Sequence, residues 1–169
     1  MKLAGLISDT HIPTRARTIP EKALEVFRDA DLIIHAGDLV QLGALSALEK
    51  LASVVAVCGN MDEHDVRQRL PKMNSVKIYD WKIGVVHDSG ALWGTERMKR
   101  IAKQNEFNVL VFGHTHRPFL GQEDGTLFIN PGSPTNPLPP FLTKPTIGLL
   151  KITEEKIEPK IVQVQGDTR

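Results

Sequence analysis

At 169 residues the chain suits one domain able to bury most of its apolar surface, so residues 1–169 are expected to fold as a single unit. A formal net charge of +1 gives no strong field for duplex nucleic acid or an anionic membrane, and no apolar stretch is long enough to cross a bilayer. The single cysteine, Cys58, excludes an internal disulfide and reads as a small core residue.

The first apolar run, Leu3–Ile7, is too short for a secretory signal, which makes the cytoplasm the expected compartment. Thr18-Ile19-Pro20-Glu21 then reads as a capping box with an early proline, opening a helix whose apolar face includes Leu24 and Phe27. Leu32–Ile34 follows as a second strand. Leu42, Leu45, Leu48 and Leu51 repeat at helical spacing, and Val54–Cys58 is a third strand. Strand, helix, strand, helix, strand predicts parallel pairing with right-handed crossovers. These runs are rich in Val, Ile and Leu and alternate poorly, as suits strands buried on both faces.

The second half is hairpin-rich. Val76–Tyr79 and Lys82–Val86 flank a tight turn at Asp80-Trp81. Thr95 caps a helix carrying Met98, Ile101 and Ala102. Val109–Phe112 is a further strand. Pro118–Leu120 and Leu127–Ile129 bracket a turn at Glu123-Asp124-Gly125. Ile147–Ile152 and Lys156–Val164 end the pattern as a strand pair. Two sheets packed face to face with helices outside are expected, with Asn130–Pro145 as one long, proline-dense loop.

Five of the apolar runs end in clusters rich in Asp, Asn and His: Asp9-x-His11, Gly37-Asp38, Gly59-Asn60, His87 and Gly113-His114-x-His116. One such cluster would mean little, because a polar residue follows any buried strand. Five point to one shared site, and strands of a single sheet would bring their ends together there. In an open parallel sheet, ligands bind outside the carboxyl ends of the strands. Asp9 and His11, two residues apart, are expected to lean to one side, as are His114 and His116. The preceding glycines let the backbone deliver Asp38 and Asn60. Together these are seven groups, too many for one zinc ion, which usually takes four. Seven suits two ions sharing a carboxylate, about 3.5–4 Å apart. Imidazole with carboxylate favours Mn, Fe, Zn, Co or Ni over Mg or Ca.

In this order the motifs resemble those of the calcineurin-like metallophosphoesterases. The short length and the Asn130-Pro131-Gly132-Ser133 segment are similar to the small YfcE-type phosphodiesterases. The resemblance implies a four-layer αββα sandwich of two mixed sheets flanked by helices. It implies that Asp9, His11 and His116 hold one metal and Asn60, His87 and His114 the other, with Asp38 bridging. Mn is the expected ion. A bridging hydroxide would then attack phosphorus in a small phosphate ester, with Asp38, Asn60 and His114 acting through the metals.

Two departures from the family pattern stand out. Met61 occupies the position where larger relatives carry a histidine that protonates the leaving group, and a thioether cannot serve there. His87-Asp88-Ser89 replaces a common His-Gly-His, which points to altered substrate recognition at Ser89. Asp62 is a candidate to orient His11 or a ligand water, or equally to cap its loop, and Arg15 and Arg17 are candidates to hold phosphate. His35, inside an apolar run, reads as a satisfied core group, His64 as a surface residue, and Ser133 as a loop-shaping residue.

The competing reading is a metal-binding interaction scaffold of the same fold with little or no hydrolytic activity, as in the retromer subunit that shares the sandwich. The complete ligand set argues for hydrolysis. Phe141-Leu142 and the proline loop offer an apolar patch for a partner or a homodimer. A nuclease acting on duplexes is disfavoured by the near-neutral charge.

Overall fold

The computed structural model describes residues 1–88, 90, 96–138 and 143–164. Ten strands and four helices lie in chain order among these residues. The first half runs β1 (Lys2–Ile7), α1 (Glu21–Phe27), β2 (Leu32–His35), α2 (Leu42–Glu49), β3 (Ser53–Ala56) and α3 (His64–Arg69). The second runs β4 (Met73–Ile78), β5 (Trp81–Val86), α4 (Glu96–Gln104), β6 (Val109–Val111), β7 (Pro118–Glu123), β8 (Thr126–Pro131), β9 (Thr146–Ile152) and β10 (Ile157–Gln163).

They form two five-stranded mixed sheets, ordered β10-β9-β1-β2-β3 and β4-β5-β6-β8-β7. In the first, β1, β2 and β3 are parallel and β9 and β10 antiparallel, with Ile7 opposite His35. In the second, β5, β6 and β8 are parallel, with β4 and β7 antiparallel at the edges.

Strand alternation explains the layers. Ala4, Leu6 and Ile34 of the first sheet face Ile83, Val85, Val111 and Ile129 of the second, making a core between the sheets. Ile7 and Ile33 point the other way, against Phe27, Leu45 and Leu48 of α1 and α2. On the far side Leu110 and Phe128 pack against Met98 and Ala102 of α4. The result is the expected αββα sandwich. Strands such as β2, buried on both faces, therefore carry near-continuous apolar sequence, while edge strand β4 alternates between exposed and half-buried residues.

Several local expectations need correction. Thr18 forms no capping box: Pro20 occupies the N-cap of α1 and no side chain caps it. The β4–β5 turn lies at Tyr79-Asp80, one residue early, because Ile78 pairs with Trp81 and Tyr79 takes a φ of 52°. Cys58 is buried but lies beyond β3, its N–H donating to the Pro71 carbonyl at 2.9 Å. Ser89, Thr95, Phe141 and Leu142 lie outside the described residues. Above all, the polar clusters do not sit on one sheet edge. Three follow β1, β2 and β3 of the first sheet, and two follow β5 and β6 of the second, so the site spans both sheets.

Candidate metal centre

The seven candidate ligands meet where the carboxyl ends of five strands converge. Asp9, His11, Asp38 and His116 are buried and each offers a ligand atom within 4.8 Å of the others. His11 Nε2 faces His116 Nε2 at 3.1 Å, and His116 Nε2 lies 3.4 Å from Asp9 Oδ1. Asn60 Oδ1 lies 2.9 Å from His87 Nε2 and 3.0 Å from His114 Nδ1. Asp38 joins the two groups: its Oδ2 is 3.6 Å from His11 Nε2 and 3.3 Å from His87 Nε2.

Left-handed backbone, rather than strand alternation, delivers most of these side chains. Asp9, His11, Asp38, His114 and His116 all have positive φ, between 45° and 71°. Non-glycine residues avoid this region, at a cost on the order of 1 kcal/mol or more each. Gly37 precedes Asp38 with a φ of 88°, and a Cβ there would press on the His87 ring. At Gly59 a Cβ would collide with the Asp38 carboxylate. Glycine is thus required beside both the carboxylate and the amide that meet at the centre.

The donor set fits divalent cations. His87 Nδ1 lies 2.8 Å from the Ala36 carbonyl and His116 Nδ1 lies 2.6 Å from the Asn136 carbonyl. A carbonyl only accepts, so each Nδ1 carries a proton and each Nε2 is the inward nitrogen, able to present a lone pair to a cation. Around these Nε2 atoms lie carboxylate and amide oxygens and the His11 ring, a donor set that a cation can draw on. Bonds of about 2.1 Å from one ion would set neighbouring ligands roughly 3.0–3.4 Å apart, close to the 2.9–3.6 Å found here. Carbonyl partners behind ligand imidazoles are a usual way of orienting them.

Without a cation the buried charges adjust by protonation. Burial alone would lower the pKa of His87, but the hydrogen bond to Asp38, the charges of Asp9 and Asp38, and the Ala36 carbonyl raise it to about 9. Burial works on Asp38 in the raising direction, yet contact with His87, the Met61 N–H and the His11 charge leave it lowered. Asp9 is raised, chiefly by burial. His11 is lowered to about 4, again chiefly by burial.

The supporting residues match the expectations in part. Of its two expected roles Asp62 takes the loop-capping one, and makes no hydrogen bond to His11 among the described residues. Its two carboxylate oxygens accept the Val40 and Gly59 N–H groups, each at 2.6 Å, tying the Asp38 loop to the Asn60 loop. Arg15 and Arg17 are exposed, and neither lines the cleft beside Asn60, His87 and His114. That cleft holds Arg67, Lys72 and Arg97, basic residues scattered in sequence and invisible to motif spacing. Asp88 also lines it, bonded to the Gly90 N–H at 2.7 Å and 3.5 Å from Arg97 Nη1. Met61 turns its side chain to solvent, and its N–H donates to Asp38 Oδ1 at 2.7 Å.

His35 is a satisfied core residue: the Gly37 N–H donates to its Nδ1 at 3.1 Å, leaving Nε2 to donate to Thr10 Oγ1 at 3.1 Å. Ser133 shapes the loop as expected, its hydroxyl donating to the Asp9 carbonyl at 2.7 Å. The sequence reading missed Asn136 and Asn130. Asn136 follows Ser133, which accepts its N–H at 2.8 Å, and its carbonyl aims His116. Asn130 donates to the carbonyl of Gly113 at 2.9 Å. Its place at the end of β8, directly before Pro131-Gly132, was the available signal.

Known proteins resemble this chain over most of its length. The profile of the calcineurin-like phosphoesterase superfamily domain matches residues 1–155. A probable metallophosphoesterase of Methanothermobacter thermautotrophicus is 40% identical over 162 residues, spanning 95% of this chain and 92% of that protein. A phosphodiesterase of Methanocaldococcus jannaschii is 33% identical over 171 residues, spanning 94% and 97%. The crystal structure of Vps29 complexed with zinc, from Entamoeba histolytica, superposes with a TM-score of 0.78 at 27% identity, covering 95% and 98%.

Proposed function

Because the chain belongs to the calcineurin-like phosphoesterase superfamily, we propose that it is a dinuclear metal-dependent phosphoesterase, a phosphodiesterase acting on small phosphate esters. On this reading residues 1–169 form one metallophosphoesterase domain working in the cytoplasm. The observation that carries it is the position of Asp38 Oδ2, within 3.6 Å of His11 Nε2 and 3.3 Å of His87 Nε2. Asp9, His11 and His116 would hold one ion with Asp38. Asn60, His87 and His114 would hold the second with the same carboxylate. Mn is the expected metal, and Zn, Fe, Ni and Co suit the same imidazole-rich donors.

Bound, such ions supply a nucleophile from water near neutral pH and neutralise charge on the phosphoryl oxygens. The residues themselves fix geometry. The Ala36 and Asn136 carbonyls hold His87 and His116 in the ligating tautomer, and the Met61 N–H orients the Asp38 carboxylate. The Met61 side chain brings no proton to a leaving group, so esters with acidic leaving groups are the favoured substrates.

The test is hydrolysis by Mn²⁺-loaded protein of bis-p-nitrophenyl phosphate and p-nitrophenyl phosphate. Cleavage that is lost with chelator, and lost together with bound metal in His114→Ala, is the expected result. No cleavage of either ester overturns the reading. The likeness to Vps29 supports a second one, a metal-binding interaction scaffold. A stable complex whose formation ignores metal removal, in a chain inert to both esters, would favour the scaffold.

A further inference from the structure

The cleft beside Asn60, His87 and His114 has a volume of about 810 Å³, within the range of small-molecule sites and more than a bare phosphate needs. Asp9, His11 and His116 are not among its lining residues, so it opens from one half of the candidate centre. Its walls are of two kinds. Leu70, Val86 and Ile101 contribute apolar surface. Arg67, Lys72 and Arg97 contribute three cations against the one carboxylate of Asp88, a formal +2 with imidazoles set aside. The whole chain carries only +1, so positive charge is concentrated here.

Arg67 is tied to the centre. Its Nη2 donates to the Asn60 carbonyl at 2.6 Å, which anchors a planar fork whose other N–H groups remain for an anion. Arg97 comes from α4, with Asp88 near one of its nitrogens. Asp88 offsets one of these charges, and a simple aryl diester would leave the remaining two without a counter-charge. A ligand with a second phosphate would meet them.

We propose that the cleft recognises a nucleoside-type phosphodiester whose uncleaved side carries a further phosphate. Arg67, Lys72 and Arg97 bind that phosphate, and the ring system lies over Leu70 and Ile101. The assignment rests on the phosphodiesterase reading of Asn60, His87 and His114 but adds a substrate class to it. Arg–phosphate pairing is bidentate and charge-assisted, so a second phosphate should tighten binding about tenfold or more.

Titration calorimetry of the Mn²⁺-loaded full chain at low salt tests this with thymidine 3′,5′-bisphosphate and thymidine 5′-monophosphate. The expected result is a preference of about tenfold or more for the bisphosphate, weakening as salt rises. Lys72→Glu and Arg97→Gln should each cut the preference by about threefold or more. Lys77→Gln, at the surface turn where Lys77 pairs with Asp80, should retain it. Equal affinities, or a preference unmoved by both cleft variants, overturn the proposal. Bis-p-nitrophenyl phosphate, assayed on the same protein, separates the two readings. Cleavage without bisphosphate preference removes the cleft assignment alone. Preference without cleavage supports the cleft and removes the hydrolase.

Discussion

Asp38 and His87 meet through Oδ2 and Nε2 at 3.3 Å, although one follows a strand of the first sheet and the other follows a strand of the second. The contact makes the seam between the sheets the working surface. Asp38→Asn keeps the shape and removes the charge that both halves of the centre share. Metal content should fall from two equivalents to one or fewer, and turnover by at least about a thousandfold. Plasma mass spectrometry of the purified variant beside a diester assay reads both. Two retained equivalents would falsify the bridging role.

Two glycine-to-alanine changes should behave in opposite ways. At Gly59 the added methyl meets the Asp38 carboxylate and backbone, so the carboxylate must move. Gly59→Ala should lose metal and activity while its far-UV circular dichroism stays native. At Gly43, in α2, nothing lies within 4 Å. Gly43→Ala, in the first turn of α2, should raise stability by up to about 0.5 kcal/mol through helix propensity, with activity unchanged. Urea titrations of both variants check the pair, and a native metal content in Gly59→Ala would refute the steric account.

Those two glycines mark the boundary of what was legible in sequence. Runs such as Leu32–Ile34 announced buried strands, and the alternation of Leu6 and Ile7 between two cores is the direct result of strand geometry. The Asp, Asn and His clusters announced a shared centre because they recur at strand ends. What stayed hidden depended on contacts distant in sequence. Asp62 could be read as a partner for His11 or as a loop cap, and only the fold decides, because the donors in its reach are the N–H groups of Val40 and Gly59. Arg15 and Arg17 looked close to the centre because they follow His11. The cleft instead gathers Arg67, Lys72 and Arg97 from α3, the segment after it and α4. No local pattern encodes that grouping, which exists only once the two sheets have packed.

Asp62 therefore has a stability role that its neighbours in sequence do not suggest. Its carboxylate is buried and holds two loops by two short bonds, although burial raises its pKa. Asp62→Ala leaves the Val40 and Gly59 N–H groups without their acceptor, at a cost of about 3 kcal/mol. Metal affinity should fall with it, because Val40 and Gly59 flank Asp38 and Asn60. Denaturant unfolding in chelator isolates the stability part. A variant within about 0.5 kcal/mol of the parent would leave the loop clamp without support.

His35 should give the chain a specific weakness to acid. Burial first, then the His87 charge, lowers its pKa to about 3 from 6.5, with Asp38 offsetting part of the shift and His11 adding to it. Below 6.5 the unfolded chain takes up a proton that the folded imidazole refuses. Stability from this group is thus present above pH 6.5 and drains away as pH falls toward 3, at up to about 1.4 kcal/mol per pH unit. His87, whose folded pKa is raised to about 9, has the opposite sign: its contribution holds below 6.5 and is lost as pH rises through 9. Comparing the parent with His35→Gln in chelator cancels the His87 effect, since both chains share it. At pH 7 the variant should be the less stable, having lost the bonds to Gly37 and Thr10. Between pH 6 and 4 the gap should narrow, because glutamine binds no proton in either state. Parallel unfolding curves across that range would show that His35 is not the group that titrates.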